Sequence, residues 1–464
     1  MYSILLLTIH LCYNYPVSKM EKKKLKKITN KKIKKLNRLF KSHKLTYLRI
    51  ARIGLVLTFT FNTLYIVGIH SSYLINNTLK YISFGLAIIS FLVFLVFLSL
   101  YFFKERDIIL KAKRWWLNII SGLFCIGCCL FLSLLYGPNP AFRDWLVTTA
   151  MATMNHQYLC KMFYGDDEIA DVLNANYILE PDEEMNTNLV DVVADKKKKK
   201  TFQYDEDNEY EVQMFKDHEE DEIYRLLRFT VNDQNAYLAV VYDPANVSVV
   251  VSKYALNSGE YVVNMAKRTN ALIAVNGGRF IDPEWKSAGG NPDGVTITKG
   301  KVITDYPYGG GLGVIGFNQD NVLVLYKDKS AQELLDLGVR DCVTSLPFLI
   351  VNGNKAFTKG NGGYGYGART AIGQREDGVT LILVVDSNET RTNGASMKDL
   401  TDIFANYGAI NAAALDGGTS TSMVENGKMI SRPVNASLKH VTRPVATGII
   451  VTAPPKEENE IELN

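Results

Sequence analysis

Between residues 54 and 136 the chain holds three long stretches without a charged side chain. Tyr81–Phe103 runs 23 residues uncharged and Trp115–Tyr136 runs 22. Gly54–Leu79 is also uncharged, with its apolar weight in Gly54–Ile69. At 1.5 Å per residue, about 20 such residues cross a hydrocarbon core ~30 Å thick. The sequence therefore predicts three transmembrane helices within residues 46–136. A hydrophobic fraction of 47% averages over this part and a much more polar remainder.

Charge sets the expected orientation. Met20–Ile50 carries 13 Lys or Arg and one acid, and Lys104–Arg114 carries five basic residues. Basic flanks stay on the cytoplasmic side, so three spans leave everything after Tyr136 outside. The expected location is a cell membrane, multi-pass, with an extracellular C-terminal domain. The basic N-terminus, residues 1–45, reads as a solvated cytoplasmic tail that touches anionic membrane lipid. Met1–Tyr13 is too short to span and has no basic leader, so Met20 is an alternative start. No aromatic residues interleave the basic run, which disfavours a nucleic-acid partner. Six Cys, three of them in one apolar stretch, exclude a disulfide scaffold.

Residues 137–224 read as a juxtamembrane helix, on the membrane face or packed on the domain, followed by an acidic stalk. Asp166–Glu222 holds 20 acids and six Lys, too little apolar area to offset ordering entropy. Residues 225–453 read as an α+β domain with a mixed sheet. Nine short β-rich runs alternate with Gly and Asn turns, and helical patterns cover Gly259–Asn270 and Met397–Tyr407. Residues 454–464 form an acidic tail.

Four segments place polar groups beside apolar runs, where a sheet could present them to a cleft. They contain Asn276-Gly277-Gly278, Arg369, Asp386 and Asp416-Gly417-Gly418. The hydroxyls of Thr419, Ser420, Thr421 and Ser422 follow directly and suit sugar or phosphate oxygens. Asp293, Asp386 and Asp416 are the candidate carboxylates. Asp386 reads equally as a cap, and Arg369 equally as an ion-pair partner or a phosphate clamp. Asn-Gly-Gly and Asp-Gly-Gly also read as plain turns. The Gly-rich stretch 359–367 carries two tyrosines that could line a sugar site, or is a flexible turn. From residue 166 onward only His218 and His440 occur, both outside these segments, so carboxylate chemistry is favoured over a Ser-His-Asp or His-rich metal mechanism.

In order, AVNGGRF, the DGV of Asp293–Val295, ARTAIG, LVVD, LDGGTSTSMV and RPVATGIIV resemble the phosphodiester glycosidase family. The resemblance spans 225–453 and leaves out the spans and the stalk. Thr419 stands where the family often has a third Gly, Arg279 where it has an aromatic, and Ala368 where it has Pro. The resemblance implies a hydrolase that cleaves a sugar from a phosphodiester, here in an envelope glycopolymer. It implies a site of Asn276, Arg369, Asp386 and Asp416, with Gly277, Gly278, Asp293, Gly417, Gly418, Thr419, Ser420 and Thr421 binding substrate. Arg369 and backbone amides would stabilise the departing phosphate. Asp416 would steady the oxocarbenium-like state, attack it or activate water, with Asp386 as its partner or holding a cation. No cofactor is required by the sequence, and a divalent cation has a possible place at Asp386. A carbohydrate-binding module or envelope-complex protein without turnover remains the alternative.

Overall fold

The computed structural model describes residues 47–71, 77–103, 115–152, 157–192, 202–282, 288–306, 313–435 and 438–454. The basic N-terminus, the Lys104–Arg114 loop, the Lys196–Lys200 run and all of the tail but its first residue, Pro454, lie outside these. The chain divides into two compact units, one up to Asn139 and one from Pro140.

In the first unit three helices are long and apolar enough to cross a membrane: Tyr47–His70, Tyr81–Leu100 and Ile119–Tyr136. The first begins ahead of the expected Gly54 and takes in Arg49 and Arg52, whose long side chains can reach a headgroup layer from a helix end. Thr58, Thr60 and Thr63 turn their hydroxyls back to the carbonyls four residues earlier, so these three hydroxyls are satisfied within the helix.

The second unit is α+β, as expected. Its largest sheet has seven strands in the order Asn354–Lys355, Phe348–Val351, Ala409–Ala414, Arg369–Arg375, Thr380–Val385, Gln234–Val241 and Tyr224–Val231. A five-stranded sheet orders Lys428–Met429, Met423–Glu425, Ile273–Asn276, Thr447–Val451 and Val247–Val251. Another holds Lys301–Asp305, Val295–Thr298, Val339–Ser345, Gly313–Asn318 and Leu323–Lys327. Among the described residues every strand pair is antiparallel, so the sheets are not of mixed direction. Tight Gly and Asn turns dictate this for the hairpins such as Tyr224–Val231 with Gln234–Val241, since parallel pairing needs long crossovers.

The strand Thr380–Val385 shows why the core forms. Ile382 and Val384 join the cluster between the seven-stranded sheet and the two five-stranded sheets. Leu381, Leu383 and Val385 face the opposite way, onto the helix Met397–Asn406 through Met397, Leu400 and Phe404. Both faces are covered, so the sequence is continuously apolar instead of alternating. Ser396 and Asp399 close a capping box at the start of that helix.

The region read as a juxtamembrane piece and stalk packs on the domain. Val147, Thr148, Cys160, Tyr164, Ile169 and Val172 are buried. Tyr177–Leu179 pairs with Phe357–Lys359, and Met214 and Phe215 enter the core beside Leu238 and Val240. Few of its residues are apolar, but those few dock on a preformed surface, so the segment needs no core of its own. Helix Asp166–Ala175 has three acids in its first turn, where the helix dipole favours them. The acidity that suggested a stalk is here partly helix-terminal charge.

Candidate active site

Three neighbouring strand ends assemble the site. Leu415 donates its N–H to the Thr370 carbonyl and Asp416 to the Gly277 carbonyl, so the chain leaving Ala409–Ala414 bridges two sheets. Asn276 fastens this bridge. Its amide donates to the Asp416 carbonyl at 2.6 Å, and its side-chain oxygen accepts from Thr370 Oγ1 at 2.7 Å and the Ser422 N–H at 3.1 Å. Asn276 is fully buried, so these bonds fix the loop that follows Asp416.

Asp416 itself is half-buried. Burial pushes its carboxyl above the usual carboxylate range, against a hydrogen bond from Ser420, the charge of Arg443, the Gly417 N–H and the charge of Arg279. Ser420 and Thr421 are buried, and the Thr421 hydroxyl has no hydrogen-bond partner among the described residues. Thr419 stays half-buried.

Arg369 forms no ion pair among the described residues. Its Nε donates to the Ala395 carbonyl at 3.1 Å and one terminal nitrogen to the Tyr364 and Gly365 carbonyls at 2.7 and 3.1 Å. Burial lowers the guanidinium to about 10. The other terminal nitrogen lies 3.6 Å from where a Cβ on Gly417 would stand. Neutral carbonyls orient this cation without cancelling its charge, which leaves it available to an anion.

The carbonyls that hold Arg369 belong to the Gly-rich stretch, which is pinned and not a free flap. A Cβ on Gly365, at φ +61°, would stand 2.6 Å from the Thr149 backbone. The Asn361 side-chain amide donates to Thr148 Oγ1 at 2.6 Å, and its backbone N–H donates to the Asn176 side-chain oxygen at 3.2 Å. The helices before the domain thus press on the loop that aims Arg369.

The glycines divide into two kinds. A Cβ on Gly277 would lie 2.6 Å from Thr447 Oγ1, and one on Gly278 would lie 2.5 Å from the Thr344 carbonyl oxygen. The space of these two, expected to admit a ligand, is taken by neighbouring strands. Gly417 and Gly418 instead border the arginines, with Gly418 at φ +62°.

Asp386 and Asp293 have partners of their own, although Arg279, whose charge acts on Asp416, also lies beside Asp293. Val385 pairs with Arg369, so Asp386, one residue on, faces the other side of the seven-stranded sheet. It is buried beside Tyr237, one oxygen accepts the Arg432 N–H at 2.9 Å, and the other has no partner among the described residues. Burial raises its carboxyl against the Arg432 N–H, Tyr237 and the charges of Arg432 and His440. Arg432 and His440 also line a depression of about 500 Å³, with Tyr261, Met429 and Thr442. Asp293 is buried and 3.7 Å from the exposed Arg279, with its other oxygen unpartnered among the described residues. Among the described residues no three His, Cys, Asp or Glu side chains converge as a metal site. Sequence reasoning did not single out Arg391 or Arg443 as site residues. The loop around Arg391 has no periodicity, and Arg443 reaches Asp416 only through the fold.

The second unit is thus an antiparallel α+β domain that sets a carboxylate on a glycine turn and brings a carbonyl-held arginine to the same turn. Residues 269–452 match the phosphodiester glycosidase family model. It is 29% identical over 187 residues to the SPbeta prophage-derived uncharacterized protein YomE of Bacillus subtilis (strain 168). That match covers 39% of this chain and 28% of the relative, so the chain spans little more than a quarter of that relative's length. Among solved structures it is similar to the pro-peptide-inhibited catalytic domain of zebrafish N-acetylglucosamine-1-phosphodiester alpha-N-acetylglucosaminidase, with 22% identity and a TM-score of 0.43. That similarity covers 50% of this chain and 83% of the other. A hypothetical protein from Synechocystis is similar at 14% identity and a TM-score of 0.37, over 50% of this chain and 62% of that one.

Proposed function

We propose that this chain is a membrane-anchored hydrolase that cleaves a sugar from a glycosyl phosphodiester, with its domain on the outer face and an envelope glycopolymer as substrate. The observation that carries the reading is Asp416, half-buried at the Gly417–Gly418 turn under the charges of Arg443 and Arg279, with a terminal nitrogen of Arg369 3.6 Å from where a Cβ on Gly417 would stand. The family match supports the bond type, and the basic flanks of the spans support the orientation.

The roles follow from the reaction. The bond between the anomeric carbon and the phosphate oxygen breaks, and its electron pair stays on that oxygen. Water supplies the new oxygen on the sugar, and Asp416 takes its proton. Arg369 neutralises the charge growing on the phosphate, so the leaving group needs no proton of its own. Asn276 is a positioning residue that holds the Asp416 loop through its three hydrogen bonds. Ser420 hydrogen-bonds the carboxylate, and Thr421 offers its unpartnered hydroxyl to the sugar or phosphate.

The test is hydrolysis of a panel of glycosyl-1-phosphodiesters by the full chain in detergent, with release of reducing sugar as the readout. Turnover by wild type and its loss in Asp416→Asn are expected. Retention of the substrate without turnover would make the domain a binding module instead.

A further inference from the structure

Arg391 is a second cation at the glycine turn that Arg369 approaches. One of its terminal nitrogens lies 3.8 Å from where a Cβ on Gly418 would stand, as Arg369 lies near that of Gly417. The side chain is half-buried, and among the described residues it has no hydrogen bond and no carboxylate partner. Burial lowers its guanidinium from the ordinary arginine value, with no acid nearby to oppose this. The other two arginines around Asp416 differ, since Arg443 pairs with Asp282 at 2.5 Å and Arg279 stands 3.7 Å from Asp293.

The backbone at Arg391 is held in an unusual place for such a residue. Its φ is +60°, a region that a long side chain enters only at some cost. The surrounding loop enforces it. Arg391 donates its N–H to the Asn388 carbonyl at 3.0 Å, and the Asn388 side chain accepts from the N–H groups of Thr392 and Asn393 at 2.8 and 3.2 Å. Trp145, on the helix Ala141–Met151, donates its indole N–H to the Thr392 carbonyl at 3.0 Å. A strained residue, tied down from two sides, with a cation left unpaired in a cleft, is what an anion site requires.

We infer that Arg391 and Arg369 clamp the substrate phosphate between them across Gly417 and Gly418, each taking one non-bridging oxygen. This rests on the reading of the site as one for a glycosyl phosphodiester and adds the residue that grips the phosphate. It also makes the loop held by Trp145 part of substrate binding.

The variant to test is Arg391→Asn, because Asn tolerates positive φ and removes only the cation. Calorimetric titration of the full chain in detergent with inorganic phosphate measures the clamp without any turnover. Phosphate affinity is expected to fall roughly 10–100-fold, what one charge-assisted hydrogen bond contributes. KM for a glycosyl phosphodiester should rise by a similar factor, with kcat changing less and the melting temperature at or above wild type. Phosphate affinity and KM equal to wild type would overturn the inference. Wild type that binds phosphate through Arg391 but hydrolyses no phosphodiester would keep the clamp and sink the hydrolase reading. Wild type that binds no phosphate at millimolar concentration would sink the clamp.

Discussion

Asp416 and Asp386 each end an apolar strand and are each followed by small or polar residues, yet the fold treats them differently. Asp416 lies at a glycine turn, half-buried, under the charges of Arg443 and Arg279, and Arg369 approaches the same turn at Gly417. Asp386 is buried on the other face of the sheet and spends one oxygen on the Arg432 backbone. Strand parity makes the difference. Asp386 is one residue past the partner of Arg369 and so turns away from it, while Asp416 belongs to a strand that leaves its sheet to bridge to Gly277. A carboxylate at a strand end is therefore no sign of chemistry until its face is known.

The largest expected effect separates the two regions by what supports them. A fragment starting at Arg225 removes Thr148, Thr149 and Asn176, on which the loop holding Arg369 rests, together with Met214 and Phe215. It should lose all turnover and melt well below a 140–464 fragment, since each buried large side chain contributes about 2–5 kcal/mol. Equal melting curves for the two would mean that the docked segment is ornamental.

Next is Asp416→Asn, expected to lose at least ~10²-fold in kcat with folding intact, the low end of what a general acid–base group supplies. The wild-type rate should also fall on the acid side at a pH above the ordinary carboxylate value of ~4, because a base must be ionised and burial raises this group. Near-normal kcat in a folded variant would return the base role to Asp386 or Asp293.

Asp386→Asn should cost activity less than ~10-fold, as a supporting residue would, below the range of a direct acid–base group. Its stability effect has a definite sign. The folded-state pKa is raised by burial, so the folded protein holds the proton longer and loses stability as pH rises from the unfolded value through the folded one. Asn removes this loss while its side-chain oxygen still accepts the Arg432 N–H. The variant should melt at or above wild type at neutral pH, with the gain vanishing below about pH 4. A lower melting temperature at neutral pH would show that the charge is needed for structure.

The smallest effect is at Cys342, whose thiol burial pushes up to about 12. A thiol reagent should leave it unlabelled in the folded protein and label it only on unfolding. Prompt labelling would show that the sheet around it opens.

The sequence was most legible where the cause is local. The spans were visible because an uncharged run of helical length has few other uses. All nine β-rich runs became strands, and both helical patterns formed, as Val262–Thr269 and Met397–Asn406. The strand Val339–Ser345 was missed because Arg340, Asp341 and Thr344 interrupt its apolar pattern, although six of these seven residues are buried. Asp416 and Arg369 could be named from their glycine and apolar flanks alone.

Other features were decided only by the tertiary structure. Gly277 and Gly278 are small because Thr447 and Thr344 come close, which no local signal reveals. Arg391 sits in a loop of polar residues without period, and its meaning depends on Gly418, 27 residues on in sequence but close in space. The acidic segment after the spans looked unable to order itself, and by its own apolar content it could not. Its described residues are ordered because a domain later in the chain supplies the surface they dock on. Hydropathy and turn chemistry act over a few residues and can be read in order along the chain. Which face a carboxylate takes, and which cation stays unpaired, depends on groups brought together across the fold.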